Sequence, residues 1–130
     1  MMKRFRFIIV LFVLAGMLLA ACGTNSKGIT EDMDGQTVSV KVGDTFNVRL
    51  QGNPTTGYNW VMADYDSSVV SQVGDVDYHA DSLLTGSGGT YIYQFKALTT
   101  GTTMLTFNYL RSWEKGVPPY KTFKITIEVK

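Results

Sequence analysis

The chain has 130 residues, with 12 Lys and Arg against 11 Asp and Glu, one histidine and one cysteine. This length fits one small domain, and the near-neutral charge excludes the broad basic surface of a nucleic-acid-binding protein. A single cysteine excludes a disulfide within the chain, and His79 has no partner motif for acid–base or metal chemistry. We therefore expect a protein that is not an enzyme and that has no cofactor and no metal site.

The first 21 residues have the three parts of an export signal. Residues 1–6 carry three cations and no acid, residues 7–14 are entirely apolar, and residues 15–21 are small or apolar. Residues 19–23 read Leu-Ala-Ala-Cys-Gly, which matches the bacterial lipobox. We therefore predict that residues 1–21 are a lipoprotein signal peptide and that Cys22 is lipidated. The alternative is an ordinary secretory signal with an incidental cysteine.

Lipidation of Cys22 would place the protein outside the cytoplasm, anchored to the cell membrane or the outer membrane. Removal of the signal would take away three basic residues, leaving nine basic and 11 acidic residues and a formal charge of −2. Residues 22–35 are mostly Gly, Thr, Asn, Ser, Lys and acids, with only Ile29 and Met33 large and apolar. We predict that they form a flexible tether and that residues 36–130 form the folded domain.

From residue 36 onward, apolar residues recur at every second position. The clearest runs are residues 38–42, 46–50, 58–62, 91–97, 105–109 and 123–129. This alternation is typical of antiparallel sheets with one solvated face, and the spacing of the turns favours a sandwich. The sequence therefore predicts an all-β, immunoglobulin-like antiparallel β-sandwich of about seven strands. Trp60, early in its run, is predicted to anchor the core.

Residues 64–80 are acidic and less regular. We predict short edge strands at Val69-Val70 and at residues 73–78, with charged side chains along the exposed edge, as exposed edges often have. Four aspartates that would charge this edge are Asp66, Asp75, Asp77 and Asp81. Calcium binding is the alternative, but the spacing lacks the dense alternation of oxygen ligands and the closing glutamate of a known calcium loop.

Residues 53–58, Asn-Pro-Thr-Thr-Gly-Tyr, connect two of the predicted strands. Pro54 fixes its own φ, and Gly57 can adopt a positive φ, so this stretch has the chemistry of a tight loop. Thr55 and Thr56 are left at its tip, and a stiff loop can present them with little ordering cost on binding. The alternative is an ordinary turn that happens to be rich in threonine.

Two further connections stand out. Residues 86–89 read Gly-Ser-Gly-Gly, and so little side chain lets a backbone lie flat against another surface. Residues 111–119 place Trp113 among polar neighbours, with Arg111 nearby, and exposed Trp and Arg often anchor interfaces. The alternative for Trp113 is that it folds back over the end of the sandwich. In a sandwich of this kind, alternate connections emerge at the same end.

Together these three stretches resemble the signatures of the chagasin-type inhibitors of papain-like cysteine peptidases. That family has an Asn-Pro-Thr-Thr-Gly-Tyr/Phe loop followed by Trp, a Gly-x-Gly-Gly loop and an Arg-Pro-Trp loop. Here they correspond to residues 53–58 with Trp60, residues 86–89 and residues 111–113, and the resemblance covers residues 36–130. Ser112 stands where the family usually has proline, which is expected to loosen the third loop.

The resemblance implies a monomeric, reversible, tight-binding inhibitor that occludes the active-site cleft of a papain-like peptidase with three loops. The threonine tip would sit against the catalytic cysteine, the glycine loop along one wall, and Trp113 with Arg111 along the other. The peptidase-binding residues that the resemblance implies are Asn53, Pro54, Thr55, Thr56, Gly57, Tyr58, Gly86, Gly88, Gly89, Arg111 and Trp113.

A function of a different class also fits the composition. A sandwich lipoprotein could bind a glycan or a surface polymer through exposed Trp and Tyr side chains. The tyrosines that would suit this role are Tyr91, Tyr93, Tyr109 and Tyr120. In that case the match of all three loops to the inhibitor family would be a coincidence.

Overall fold

The structure is a computed structural model that describes residues 27–130, so the predicted signal peptide and Cys22 lie outside the described residues. These residues form nine β-strands and two short 3-10 turns. The strands are β1 (Lys27–Thr30), β2 (Thr37–Val40), β3 (Thr45–Gly52), β4 (Asn59–Met62), β5 (Val70–Gln72), β6 (Asp77–Ala80), β7 (Gly89–Ala97), β8 (Gly101–Leu110) and β9 (Lys121–Val129). The prediction of an all-β sandwich is confirmed, with two more strands than the approximate number expected.

The strands form two sheets. One has the order β1-β3-β7-β5, with β6 also pairing with β7, and the other has the order β2-β9-β8-β4. Most pairs are antiparallel, but β1 pairs with β3 and β2 pairs with β9 in parallel. The sandwich is therefore not purely antiparallel, because its two N-terminal strands each join a sheet edge in parallel.

The core lies between the two sheets and follows the alternation seen in the sequence. In β7 the odd-numbered residues from Gly89 to Ala97 are buried, and their even-numbered neighbours are wholly or partly exposed. The ring of Phe107, on β8, packs 4.9 Å from Tyr93 and 6.4 Å from Phe95 on β7, so it joins the opposing sheets. Trp60 is only 6% exposed, which confirms its predicted place in the core.

The predicted tether is wrong for residues 27–35, which belong to the sandwich. Residues 27–30 form β1 alongside β3, and the side chain of Ile29 is completely buried. Farther on, the Asp34 carboxylate accepts a hydrogen bond of 2.7 Å from the backbone N–H of Lys124. This segment could not be predicted from hydrophobic alternation, because it is short and mostly polar. One buried side chain and the hydrogen bonds to an open sheet edge are enough to attach it to the sandwich.

The acidic region forms the outer part of the β7 sheet. β5 and β6 both pair with β7, at opposite ends of that strand. The predicted strand at residues 73–78 is observed only from Asp77 onward. No group of three or more His, Cys, Asp or Glu side chains in residues 27–130 is placed to hold a metal ion. No helix in this part of the chain is long and apolar enough to cross a membrane.

We expect the fold to lose stability in alkali through Tyr93. Its hydroxyl donates to the backbone oxygen of Trp60 at 3.2 Å, and burial, together with nearby Tyr91, raises the Tyr93 pKa to about 12. An unfolded tyrosine ionises near pH 10. The contribution of the neutral hydroxyl is therefore complete below about pH 10 and is lost as the pH rises from about 10 towards 12.

Tyr93→Phe should lower the free energy of unfolding by about 1 kcal/mol at pH 7, because the hydrogen bond is lost. Between pH 10 and 11 the free energy of unfolding should fall less in the variant than in the wild type. Urea unfolding at pH 7, 10 and 11 measures both effects. Tyr120→Phe, which removes the hydroxyl of a side chain 74% exposed, is the control. An equally steep alkaline loss in wild type and Tyr93→Phe would contradict this assignment.

Candidate functional site

Three connections meet at one end of the sandwich. We call them loop 1 (residues 53–58, between β3 and β4), loop 2 (residues 81–88, between β6 and β7) and loop 3 (residues 111–120, between β8 and β9). Gly52 at the end of β3 pairs with Gly89 at the start of β7, which places loop 1 beside loop 2. Asn59 at the start of β4 pairs with Leu110 at the end of β8, which places loop 1 beside loop 3. Loop 1 is therefore central, with loop 2 on the side of one sheet and loop 3 on the side of the other.

Loop 1 is a single 3-10 turn, Pro54–Thr56, closed by its own side chains. The Asn53 side-chain oxygen accepts from the Thr55 N–H at 3.1 Å and from the Thr55 hydroxyl at 2.6 Å. The Thr56 hydroxyl donates to the Asn53 backbone oxygen at 2.6 Å. Gly57 ends the turn with φ at 81°, where a side chain would be strained. The exposed tip is thus pre-organised, and both of its hydroxyl protons are used inside the loop.

Core aromatic residues hold the base of loop 1. The Tyr109 hydroxyl accepts from the Asn53 N–H at 2.7 Å and lies 3.4 Å from the Asn53 backbone oxygen, to which it can donate. The Trp60 indole N–H donates to the backbone oxygen of Gln51 at 3.1 Å. A Cβ on Gly52 would lie 2.8 Å from the Tyr91 ring, so the chain enters the loop pressed against these rings. The loop therefore shares the rigidity of the core.

Loop 2 is joined to loop 1 by one hydrogen bond. The Asn53 side-chain N–H donates to the backbone oxygen of Gly86 at 2.9 Å. Gly88 also packs closely where β3 leads into loop 1, since a Cβ there would lie 3.2 Å from the Gly52 oxygen and 3.9 Å from Asn53 Cβ. Gly89, in contrast, is buried at the start of β7, where a Cβ would lie 2.3 Å from the His79 backbone oxygen. Gly86 and Gly88 thus belong to the loop surface, whereas glycine at position 89 is required by strand packing.

Loop 3 braces the other side of loop 1 through Arg111. Its Nε–H donates to the Thr56 backbone oxygen at 3.1 Å, and its guanidinium lies 4.4 Å from the centre of the Tyr58 ring. Its Nη1 also pairs with the Glu114 carboxylate at 3.1 Å. Arg111 was predicted to lie beside Trp113 on the binding surface, but its hydrogen bonds are made within the protein. Its observed role is to fix loop 1 and loop 3 against each other.

Trp113 is exposed to solvent, yet its indole is held in place by packing on another loop. Its side chain is 64% exposed, so the prediction that it lies outside the core is confirmed. The indole packs on Gly57, and a Cβ at that position would lie 2.3 Å from Trp113 Cη2. Glycine at position 57 therefore serves both loops, because it permits the turn and leaves room for the indole. A large apolar surface held in place beside the threonine tip is well suited to packing on a partner.

Sequence reasoning missed one feature of this end, a leucine pair in loop 2. Leu83 is fully exposed and Leu84 is 77% exposed, next to the glycines of the same loop. Two consecutive leucines between polar residues and a glycine-rich stretch were the available signal, because neither could alternate into a core. They extend the apolar surface on the loop 2 side, as Trp113 does on the loop 3 side.

The fold and this end together define a class of protein, a β-sandwich with three loops held against one another at one end. The family model for the Chagasin family peptidase inhibitor I42 matches residues 39–127. The chain belongs to this family. Its members are peptidase inhibitors, and this chain is accordingly an inhibitor and not an enzyme.

Individual relatives agree with the family match. Amoebiasin-1 of Entamoeba histolytica is 32% identical over 104 residues, which cover 78% of this chain and 98% of that protein. Chagasin of Trypanosoma cruzi is 28% identical over 109 residues, covering 81% and 97% of the two chains. The crystal structure of the cysteine protease inhibitor EhICP2 from Entamoeba histolytica superposes with a TM-score of 0.72 at 28% identity, covering 80% of this chain and 95% of that one.

Proposed function

We propose that this chain inhibits papain-like cysteine peptidases reversibly, by filling the active-site cleft with loops 1, 2 and 3. The observation that supports this most strongly is the exposed tip of loop 1, closed by Asn53 and fixed between its two neighbours. A loop already held in its bound shape loses little conformational entropy on binding, so it can bind tightly through a small contact surface.

The geometry also suggests why the inhibitor would survive contact with the enzyme. A papain-like cleft holds a thiolate beside an imidazolium, and the thiolate attacks a carbonyl presented by an extended substrate. Residues 54–56 form a 3-10 turn instead of an extended strand. Loop 1 would therefore reach the thiolate without aligning a peptide carbonyl for attack. Loop 2 would lie along one wall of the cleft, and Trp113 would pack on the other.

Titration of a papain-like enzyme with the purified protein tests this function. We expect activity to fall linearly with added protein to a one-to-one endpoint when the enzyme concentration is well above the dissociation constant. A serine peptidase such as trypsin, whose nucleophile and cleft differ, is the matched control and should keep its activity. Full activity of the papain-like enzyme at a large excess of protein would overturn the proposal.

The glycan-binding alternative is less well supported. Of the four tyrosines considered for it, three have buried rings that form the core or support loop 1, namely Tyr91, Tyr93 and Tyr109. Only Tyr120 is strongly exposed, and its ring packs 5.6 Å from Tyr58. Tyr120 and Trp113, whose indole packs on Gly57, are the two strongly exposed aromatic rings of loop 3, and they are a small platform for sugar stacking. Under this alternative, the papain titration would show no loss of activity.

We also propose that the protein is an exported lipoprotein anchored through Cys22. The support is the sequence alone, namely a basic start, an apolar segment and the lipobox at residues 19–23. We expect Cys22→Ser to abolish lipid attachment, so that cells fed a labelled fatty acid incorporate no label into the protein. Ser26→Ala, a nearby substitution outside the lipobox, should leave labelling unchanged. Equal labelling of Cys22→Ser and the parent chain would contradict lipidation at this residue.

A further inference from the structure

The end of the sandwich opposite the three loops carries a groove lined by lysines. Its volume is about 370 Å³, and Lys27, Lys41 and Lys130 contribute to its walls together with Asp44. All three lysines are exposed. The Asp44 carboxylate accepts the backbone N–H of Lys41 at 2.9 Å and keeps its negative charge. Lys27 Nζ lies 3.5 Å from the Ser39 backbone oxygen, and Lys130 Nζ lies 3.8 Å from the Glu128 carboxylate. The groove therefore carries three exposed lysines against the carboxylates of Asp44 and Glu128, which leaves a small excess of positive charge.

The direction of the strands places this groove at the far end from the loops. β1 runs parallel to β3, so Lys27 lies near the start of β3, and loop 1 follows the end of β3. In the other sheet, Lys130 follows the end of β9, and loop 3 precedes its start. A strand of ten residues such as β8 spans roughly 33 Å, which approximates the separation of the two ends.

The first described residue also lies at the lysine end. Lys27 is the fifth residue after Cys22, and a chain of that length reaches at most about 18 Å when fully extended. Because β1 is part of the fold, the tether between the lipid and the domain is much shorter than the sequence suggested. A lipid on Cys22 would therefore hold the lysine end close to the membrane surface.

We infer that the lysine-lined groove docks on anionic lipid headgroups and that the three loops then point away from the membrane. This inference rests on the lipidation proposed above. Lysines near an anionic leaflet are attracted to its surface potential, and the lipid supplies the attachment itself. The domain would be held upright, with its inhibitory end roughly 30 Å from the bilayer, where a peptidase in solution can reach it.

Fluorescence quenching on vesicles can measure this orientation with the full lipidated chain. Cys22 is the only cysteine, so once it is lipidated an introduced cysteine is the only free thiol that can carry a dye. Val42→Cys places the dye near the groove, and Lys115→Cys places it in loop 3. The vesicles contain phosphatidylcholine with or without phosphatidylglycerol, plus a lipid with a spin label on its headgroup. Mass spectrometry of the N-terminal peptide first establishes whether the lipid is present.

On vesicles with phosphatidylglycerol we expect the Val42→Cys dye to be quenched at least about fivefold more than the Lys115→Cys dye. The ratio of the quenching of the first dye to that of the second should fall on vesicles of phosphatidylcholine alone. Lys27→Gln/Lys41→Gln should lower the ratio on anionic vesicles, whereas Lys115→Gln/Lys124→Gln, with the same change in charge, should not. Because Lys115 is itself replaced in the second pair, that comparison carries the loop dye on Val117→Cys, an exposed position of loop 3, in every protein.

Three outcomes would overturn the inference. Equal quenching at both ends, or a ratio insensitive to anionic lipid and to the groove lysines, would do so while leaving lipidation and inhibition intact. Absence of lipid on Cys22 would remove the anchor and the inference with it, while the papain titration would still decide inhibition separately. The groove lysines lie far from the loops, so the groove variant should inhibit a papain-like enzyme as the parent chain does.

Discussion

Gly57→Ala is expected to weaken inhibition of a papain-like peptidase by at least about 2 kcal/mol, or roughly 30-fold. Two effects combine at this residue. A positive φ of 81° is unfavourable for alanine, and the new Cβ would lie 2.3 Å from Trp113 Cη2. Loop 1 would have to open, or the indole would have to leave its seat, and either change alters the binding surface. Inhibition constants for the variant and the parent chain measure the effect.

Gly43→Ala is the matched control for this prediction. Gly43 has a similar φ of 89°, but no atom lies within 4 Å of a Cβ built there, and it lies in the turn before β3, far from the loops. It should lower the melting temperature by a few degrees, through backbone strain, without changing inhibition. If both glycine variants inhibit as the parent chain does, the contact between Gly57 and Trp113 does not shape the binding surface.

Thr55→Trp and Thr55→Asp are expected to weaken inhibition by at least about 2 kcal/mol each. Thr55 is exposed at the tip that would reach the base of the cleft. Tryptophan there would clash with the cleft, and aspartate would leave a carboxylate poorly solvated. Aspartate would also place negative charge beside the Asn53 oxygen that now accepts from the Thr55 hydroxyl. Inhibition constants and melting temperatures separate lost binding from lost folding.

Thr55→Ser keeps the hydroxyl that closes loop 1 and should inhibit within about threefold of the parent chain, since it removes only one methyl group. This control separates the size and charge of the tip from the hydrogen bond that shapes it. Undiminished inhibition by Thr55→Trp would show that the tip does not enter a confined part of the cleft.

Much of the fold could be predicted from the sequence because its strands alternate strictly. In β9 the side chains from Phe123 to Val129 alternate between core and solvent as expected, and Trp60 anchors the core. β1 could not be predicted, because its evidence is a single buried isoleucine and the open edge of β3. Edge pairing depends on which strand is left unpaired, and that is a property of the assembled sheet.

The loops of the candidate site could be located from the sequence, but the roles of individual residues could not. Asn53, Arg111 and Gly89 were grouped with the contact residues, yet the structure gives each a role within the protein. Asn53 closes loop 1, Arg111 braces it through Thr56, and Gly89 leaves room for a neighbouring strand. These roles depend on distances between segments that are far apart in sequence. The pattern of residue types carries no such distances.

The structure also bears on Ser112, where the family usually has proline. Serine in place of proline would loosen loop 3 if the loop were otherwise free. However, the residues on either side are both held, Arg111 by Thr56 and Glu114, and Trp113 by its contact with Gly57. We therefore expect the loosening at Ser112 to be small.

In the proposed mechanism, loop 1 fills the active-site cleft reversibly, and the peptidase neither cleaves the loop nor forms a covalent bond with it. The most direct measurement incubates the protein with a papain-like enzyme at one-to-one stoichiometry, then records the intact mass of the inhibitor and the activity recovered on dilution. This mechanism predicts an uncleaved inhibitor chain, no enzyme adduct after denaturation, and full recovery of peptidase activity once the complex dissociates. Stoichiometric cleavage at Thr55, or an enzyme adduct that survives denaturation, would contradict it.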